Sequence, residues 1–387
     1  MKIPYGRQSI SQADVNAVLK VLNSDWLTQG PSIESFERAA MHHSGATFAC
    51  AVNSATSALH LACLALELQD GDWLWTAPNT FVASANCALY CGARVDFVDV
   101  DPSTFNMCPE KLEEKLQAAE KVGKLPKVVV PVHFAGLSCD MERIRKLSLK
   151  YGFKIIEDAS HAVGGSYLEH PVGSCHYSDI TILSFHPVKI ITTGEGGMAL
   201  TNNPHLASRM SLLRSHGITK DLASMSGNID GDWSYQQIEL GFNYRMTDLQ
   251  AALGVSQFRR LTKFVSARHE LAERYTGKLT DFPVSIQKQS DRIYSAYHLF
   301  VINFQDEIHI KKRQLIFNHL RNAGIGVNVH YIPVHTQPYY KAMGFDWGDF
   351  PISERYYQSA LSLPMFSDLT FDEQDYVVNE LRESLSI

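Results

Sequence analysis

Lys189 stands just ahead of a cluster of glycines in the segment SFHPVKIITTGEGGMAL, residues 184–200. A phosphate-binding loop of the P-loop type would place its glycines before the lysine and a helix after it. Here the lysine comes first, and the strand-like residues MALTN follow the glycines. The order of residues therefore excludes a P-loop. Two roles remain for Lys189: a solvated side chain on a surface turn, or an amine that forms a Schiff base with an aldehyde cofactor.

A Schiff-base lysine for pyridoxal phosphate needs three partners: a carboxylate facing the pyridine nitrogen, an anion site for the phosphate, and a flat side chain against the ring. Asp158 ends the apolar run FKIIED. Ligands of open sheets bind at the carboxyl ends of strands, and an ionised aspartate there would keep the pyridine nitrogen protonated. A helix N-cap is the other role that this position allows, and position alone favours neither.

The anion site is expected where the predicted helix SATSALHLACLALEL begins, at residues 54–57. Backbone N–H groups, hydroxyls and the positive end of the helix dipole meet there, around Ala55 and Thr56. Helix capping uses the same residue types and is the alternative. Phe81 follows the next strand and is a candidate to stack on the ring, although a single phenylalanine is also typical of a core.

Alternating strand and helix patterns between about residues 45 and 200 must position these groups. The predicted strands are TFACAV, DWLWTAP, RVDFVDVD, KVVVPVHF, FKIIEDAS, DITILSF and GGMALTN. Helical patterns such as FVASANCALYCG and MERIRKLSLKYG separate several of them. Apolar strands without strict alternation, joined by helices, predict a mostly parallel sheet of the α/β class that is covered on both faces.

The pattern changes in the C-terminal part of the chain. Residues 243–275 predict one long amphipathic helix or two in succession. AYHLFVINF then predicts a strand, KRQLIFNHLRNAG a helix, IGVNVHY a strand and TFDEQDYVVNELRESL a terminal helix. We therefore expect a large α/β domain over residues 1–254 and a smaller α+β domain over residues 255–387.

Composition excludes several classes of function. The 387 residues include 35 Lys and Arg and 41 Asp and Glu, and no basic stripe predicts nucleic-acid binding. No apolar run is long enough to span a bilayer, and the N-terminal residues MKIPYGRQSI lack the apolar core of a signal peptide, so we expect a cytoplasmic protein. The seven cysteines are scattered and predict buried reduced thiols without a metal site.

Several ordered motifs resemble those of the DegT/DnrJ/EryC1 family of sugar aminotransferases, which have the aspartate aminotransferase (type I) fold of pyridoxal-phosphate enzymes. The motifs, which extend over nearly the whole chain, are SDWLTQGP (24–31), NSATSALHLA (53–62), APNTFVAS (77–84), EDASHAVGG (157–165), SFHPVKIITTGEGG (184–197), GFNYRMTDLQAALG (241–254) and VHYIPVHTQPYY (329–340).

The resemblance implies a role for individual residues. Lys189 matches the lysine that binds the cofactor aldehyde, Asp158 its pyridine-nitrogen partner, and His161 the position beside the ring and its phenolic oxygen. The remaining implied cofactor contacts are Ala55, Thr56 and Ser184 at the phosphate, Phe81 on the ring, and Asn243, which would reach the phosphate of the neighbouring subunit. A homodimer with shared active sites is therefore implied. Relatives that carry histidine instead of this lysine are dehydratases, so Lys189 favours a transaminase.

Within the family, SFHPVKIITTGEGG and KIPYGRQSISQADVNAVLKVL are most similar to the pseudaminic-acid branch. That similarity implies amination of C4 of a UDP-linked 4-keto-6-deoxy-N-acetylhexosamine by L-glutamate, which gives UDP-4-amino-4,6-dideoxy-N-acetyl-β-L-altrosamine. Another nucleotide-linked ketosugar, of the aminoarabinose or perosamine type, is the alternative substrate. Other classes are a non-catalytic regulator, a dehydratase or a decarboxylase on the same fold. Substrate contacts are expected at Tyr5, Trp26, Leu27, Thr28, Gln29, His330, Tyr331, Ile332 and Pro333.

Overall fold

The strands of the chain form one large sheet and several small ones in the computed structural model, which describes residues 2–227 and 229–385. In chain order the strands are β1 (Phe48–Val52), β2 (Trp73–Thr76), β3 (Arg94–Phe97), β4 (Val128–Val130), β5 (Lys154–Asp158), β6 (Ser166–Tyr167), β7 (His170–Pro171), β8 (Ile180–Ser184), β9 (Gly197–Thr201), β10 (Ile218–Thr219), β11 (Gln236–Gln237), β12 (Val284–Ile286), β13 (Ile293–Tyr294), β14 (Phe300–Phe304) and β15 (Ala360–Leu363).

The large sheet has seven strands in the order β1-β9-β8-β5-β4-β2-β3. The pairs that join β3, β2, β4, β5 and β8 are parallel, whereas β9 runs antiparallel to both of its neighbours, β8 and β1. This confirms the predicted α/β class with a mostly parallel sheet. The carboxyl ends of β5 and β8 lie side by side, because Asp158 and Ile182 are partners in the ladder.

Helices cover both faces of this sheet. In chain order, the helices of the described residues are α1 (Gln12–Leu22), α2 (Pro31–Ser44), α3 (Ala55–Ala65), α4 (Ala83–Tyr90), α5 (Pro109–Glu120), α6 (Met141–Tyr151), α7 (Pro204–Arg214), α8 (Asp248–Phe258), α9 (Leu261–Lys278), α10 (Glu307–Asn322), α11 (Pro338–Lys341), α12 (Pro351–Ser359) and α13 (Phe371–Leu385). Helices α3, α4 and α7 bury apolar side chains against one face, and α2, α8 and α9 do so against the other. Within the described ranges, no helix is long and apolar enough to cross a membrane.

Strands β12, β14 and β15 form a separate three-stranded sheet in the C-terminal part of the chain. Helices α9, α10 and α13 cover it and share its apolar core, to which Ile3 from the N-terminus also contributes. The boundary expected at residue 254 falls inside α8, which packs on α1 and α2. The division into two domains stays a prediction.

Residues 243–275 contain two helices, not one. A capping box of Thr247 and Gln250 begins α8. The helix is interrupted at Arg259 and Arg260, and α9 begins at the next residue. Arg260 forms an ion pair with the buried Asp14 of α1 and donates to the Ser9 carbonyl at 3.0 Å. The break therefore directs this guanidinium toward the N-terminal helix.

The strand expected for IGVNVHY does not form. Residues 325 and 328 make only isolated bridges, to residues 3 and 362. The Gly326 N–H instead donates to the Ile3 carbonyl at 2.6 Å, and the Ile3 N–H donates to Gly324 at 2.9 Å. These hydrogen bonds pair the backbone of residues 324–326 with the N-terminal segment. The residues after 326 therefore enter the site as an irregular loop.

The prediction of buried cysteines is confirmed for six of the seven, and Cys91 is partly exposed; that they are reduced stays a prediction. The spacing of the cysteines in the sequence does not predict one contact: Cys63 lies against both Cys87 and Cys91 where α3 and α4 pack together. Packing of helices that are adjacent in space brings these thiols together.

Candidate active site

A cavity of about 1010 Å³ opens where β5 and β8 end and α3 begins. Parallel sheets bind ligands at the carboxyl ends of their strands, so this is the expected place for a site. Ten of the predicted site residues line it: Tyr5, Ala55, Thr56, Phe81, Asp158, His161, Ser184, Lys189, His330 and Tyr331. The structure thus brings together residues that lie up to 326 positions apart in the chain, from Tyr5 to Tyr331.

Lys189 lies in the connection between β8 and β9, residues 185–196. The base of this loop is held by hydrogen bonds from Thr193 N–H to the Phe185 carbonyl and from Phe185 N–H to the Gly196 carbonyl, both at 3.0 Å. Burial lowers the pKa of Lys189 from 10.5 to about 8, against the opposing charge of Asp158. A substantial fraction of the amine is therefore neutral near pH 8, as a nucleophile or a proton carrier requires.

Asp158 is the last residue of β5 and is buried. The Ser84 hydroxyl donates to one of its carboxylate oxygens at 2.6 Å, and the Ser160 N–H donates to the other at 3.1 Å. Ser84 is in turn within 2.8 Å of the Thr80 hydroxyl. Asp158 caps none of the described helices, and hydrogen bonds to both of its oxygens hold its carboxylate in one orientation.

The N-terminus of α3 faces the same cavity. Ser54 is its N-cap and accepts a hydrogen bond from the Ser57 N–H at 3.1 Å. The N–H groups of Ala55 and Thr56 are the first two of the helix and have no acceptor among the described residues. They form a site for an anion together with the helix dipole.

Gly197, the first residue of β9, fixes how closely this helix start approaches the sheet. A Cβ atom at Gly197 would lie 2.4 Å from the Ala55 nitrogen and 2.4 Å from the Ser54 carbonyl carbon. Gly197, the last glycine of GEGG, therefore permits contact between β9 and the anion site, whereas Gly194, with φ at +82°, makes the turn before the strand.

Three buried histidines, His161, His298 and His330, also line the cavity. The rings of His161 and His298 lie 4.4 Å apart between centroids. Burial lowers the pKa of each of these imidazoles, and the nearby Lys189 lowers it further, so that of His330 falls to about 3. All three are neutral at physiological pH, because a further positive charge beside Lys189 would be poorly solvated.

His161 and Tyr331 are joined directly, with 3.0 Å between the His161 Nε2 and the Tyr331 hydroxyl. The Ala135 N–H donates to the other ring nitrogen of His161 at 3.3 Å. Phe81 is 59% exposed, and its ring centroid lies 6.4 Å from that of Tyr331 across the cavity. An exposed phenylalanine at this place is available to stack on a bound ring and is not part of the core.

The remaining predicted site residues do not line this cavity of the single chain: Trp26, Leu27, Thr28, Gln29, Asn243, Ile332 and Pro333. Thr28 instead bridges to Thr247, and Asn243 is exposed and bridges to Ser215. The lining residues and contacts that escaped the sequence analysis include Ser84, Ala135, Glu195 and His298. The APNTFVAS motif contains Ser84, but no pattern in the sequence distinguishes Ala135 from core residues.

Comparison with known proteins agrees with this geometry. A family model described as the DegT/DnrJ/EryC1/StrS aminotransferase family matches residues 8–382. The chain belongs to this family. A UDP-4-amino-4,6-dideoxy-N-acetyl-beta-L-altrosamine transaminase of Campylobacter jejuni is 37% identical over 383 residues, which is 98% of this chain and 96% of that protein.

Solved structures of sugar aminotransferases also superpose closely on this chain. Helicobacter pylori PseC, described as an aminotransferase involved in the biosynthesis of pseudoaminic acid, superposes with a TM-score of 0.90 and 29% identity over 100% of both chains. The PLP-form of Spr1654, a sugar aminotransferase homologue of Streptococcus pneumoniae, gives a TM-score of 0.89 and 28% identity over 100% of this chain and 99% of that one. The chain therefore has the fold of the family and is a sugar aminotransferase.

The residues of the cavity fit pyridoxal phosphate in three respects. The first N–H groups of α3 offer donors to a phosphate, and Gly197 leaves room for the close approach of the backbone. Asp158 is a buried carboxylate already fixed by two donors, as a partner of a pyridinium nitrogen requires. Lys189 lies in the same cavity with a lowered pKa.

Proposed function

We propose that this sugar aminotransferase uses pyridoxal phosphate to transfer the amino group of L-glutamate to C4 of a UDP-linked 4-keto-6-deoxy-N-acetylhexosamine. The product would be UDP-4-amino-4,6-dideoxy-N-acetyl-β-L-altrosamine. The main support for pyridoxal phosphate as the cofactor is that Lys189, Asp158 and the start of α3 all lie at one cavity. Similarity to the C. jejuni transaminase over nearly the whole chain supports the substrate.

When bound, the cofactor supplies an aldehyde for the incoming amine and a ring that withdraws electrons from the reacting carbon. Asp158 keeps the ring nitrogen protonated, because its charge is stabilised by Ser84 and the Ser160 N–H. The start of α3, with Ala55 and Thr56, holds the phosphate, and Ser184 at the end of β8 assists. Phe81 closes one face of the site by stacking.

Lys189 moves the proton at the reacting carbon. With a pKa of about 8, the amine accepts a proton and returns it near neutral pH without a large free-energy cost in either direction. His330 and Tyr331 also line the cavity, on the loop that follows residue 325, and we assign them to the sugar. Binding of the UDP group away from C4 orients the reacting carbon.

The site is shared between two subunits in this proposal. Lys189 is the only lysine or arginine among the described lining residues, so a bound phosphate and a nucleotide diphosphate need further polar contacts. Asn243 is exposed and lies close in sequence to a group of exposed apolar side chains in the preceding segment: Leu222, Trp233, Tyr235, Ile238 and Leu240. An exposed apolar surface of this kind is typical of a subunit interface, across which Asn243 would reach the partner's cofactor.

The substrate is tested by incubating the holoenzyme with L-[15N]glutamate and UDP-linked 4-keto-6-deoxy sugars of both configurations. We expect NMR of the product to show 15N bonded to C4 with the β-L-altrosamine configuration. If 15N were transferred to a sugar nucleotide of the aminoarabinose or perosamine type and to neither of these two sugars, that sugar nucleotide would replace the proposed substrate. A product without 15N would contradict transamination.

A further inference from the structure

Ala135 adopts an unusual backbone conformation beneath the cavity. It is 1% exposed and lies within the short 3₁₀ turn Phe134–Gly136, yet its φ is 59°. The left-handed region is disfavoured for residues other than glycine, and buried residues of this kind cluster at functional sites. The conformation directs the Ala135 N–H to Nδ1 of His161, at 3.3 Å.

This hydrogen bond determines which nitrogen of His161 carries the proton. Since a backbone N–H can only donate, Nδ1 must be the unprotonated acceptor. The ring is neutral, because burial and then Lys189 lower its pKa well below 6.5, so its single proton lies on Nε2. His161 Nε2 therefore donates to the Tyr331 oxygen at 3.0 Å, and Tyr331 does not donate to His161.

The hydrogen of the Tyr331 hydroxyl is consequently not donated to His161 and is available to another acceptor. His161 is its only hydrogen-bond partner among the described residues, and Tyr331 lines the cavity. Burial raises the pKa of Tyr331, as does Asp158, so the hydroxyl keeps its proton throughout the working pH range. It is therefore a hydrogen-bond donor that faces the cavity.

The main chain around Tyr331 is fixed from two sides. The buried Asn79 accepts from the Tyr331 N–H at 3.2 Å and donates to the Phe105 carbonyl at 3.3 Å. The Tyr356 hydroxyl donates to the His330 carbonyl at 2.6 Å. A donor held in this way needs little reorganisation when charge develops beside it, which is the property of groups that stabilise an oxyanion.

We infer that the Ala135 N–H fixes the Nε2–H tautomer of His161, and that the Tyr331 hydroxyl thereby donates a hydrogen bond to an oxygen atom held in the cavity. This deepens the proposed function and rests on it for the identity of that oxygen, which belongs to the bound cofactor or to C4 of the ketosugar. Ala135 and His161 are positioning residues, and Tyr331 is a catalytic residue. No proton leaves Tyr331, because the hydrogen bond itself stabilises the negative charge.

The tautomer is tested without cofactor or substrate, by 15N NMR of apoprotein labelled at histidine, with His161→Asn used to assign the resonances. We expect His161 to be protonated at Nε2 and unprotonated at Nδ1 between pH 7 and 8. A proton on Nδ1, or on both nitrogens, would overturn the inference whatever reaction the enzyme catalyses.

The donor is tested with Tyr331→Phe in the holoenzyme, with Tyr339→Phe, which is 64% exposed and lies outside the cavity, as the matched control. We expect kcat to fall about 100-fold in the first variant and not in the second. If the acceptor belongs to the cofactor, the absorbance spectrum of the bound cofactor and its pH dependence also change without substrate. If it belongs to the sugar, the spectrum and the half-reaction with glutamate stay normal and only transfer to the sugar slows. Unchanged spectra and rates in both variants would refute the role of Tyr331.

Discussion

Replacement of Lys189 by methionine is expected to stabilise the apoprotein, because the folded chain holds this amine in surroundings that disfavour its charge. Its pKa is lowered from 10.5 to about 8. At about 1.4 kcal/mol per pH unit, this difference corresponds to a penalty of about 3 kcal/mol on folding at pH 7. Solvent in the open cavity screens the charge, so we expect about 2 kcal/mol. Methionine keeps most of the length of the side chain and removes the charge.

The sign and the pH window follow from the same pKa values. Below pH 8 the lysine is charged in both states, and the folded state bears the full penalty. Between pH 8 and 10.5 the amine is neutral in the folded state and still protonated in the unfolded state. The wild-type protein therefore gains stability with pH in this window, and its difference from Lys189→Met should fall to about half by pH 9.5.

Urea denaturation of the apoproteins at one protein concentration measures both effects, since bound cofactor and subunit association would otherwise change the free energy of unfolding. Lys263→Met, at an exposed position on α9, is the control and should change the free energy by less than about 0.5 kcal/mol. The reasoning would be refuted if Lys189→Met were no more stable than wild type at pH 7 while the control behaved as expected.

Three further predictions concern the parts of the site. Ser84→Ala removes the donor at 2.6 Å from Asp158 and should weaken cofactor binding about tenfold in equilibrium dialysis, without loss of the fold by circular dichroism; unchanged affinity would contradict the assigned role of Asp158. Gly197→Ala should weaken cofactor binding and destabilise the protein by about 1–3 kcal/mol, because the new Cβ would lie 2.4 Å from the Ala55 nitrogen. The control Gly277→Ala on α9, where a Cβ meets nothing within 4 Å, should instead be neutral or slightly stabilising. Finally, inactive Lys189→Ala and Asn243→Ala subunits, mixed and reassociated, should recover up to about a quarter of wild-type activity, since one site of each mixed dimer is intact. Recovery of none would exclude a shared site.

Sequence patterns predicted the elements that carry the site because their physical causes are local. Helix α3 begins where it was expected, just after Ser54, the unbroken apolar runs form the parallel strands, and Asp158 ends β5. The position of Lys189 between two strands could also be predicted from the sequence, since the order of lysine and glycines excludes a P-loop. In each case a single segment contains the information.

Features that depend on contacts between distant segments could not be predicted in this way. IGVNVHY has the composition of a strand, but its Gly326 N–H donates to the Ile3 carbonyl, and this hydrogen bond competes with strand pairing. The lowered pKa of Lys189 comes from burial by elements scattered along the chain. The role of Ala135 is invisible in the sequence, because it depends on one φ angle and on the distance of its N–H from His161.

The central claim is that Lys189 binds pyridoxal phosphate within this cavity. Purified holoenzyme reduced with borohydride, digested and analysed by mass spectrometry tests it most directly. We predict that one peptide gains the mass of the reduced cofactor, that fragmentation places this mass on Lys189, and that the protein loses its absorbance above 400 nm. Cofactor attached to another lysine, or none attached to a protein that still transfers the amino group of glutamate, would contradict the claim.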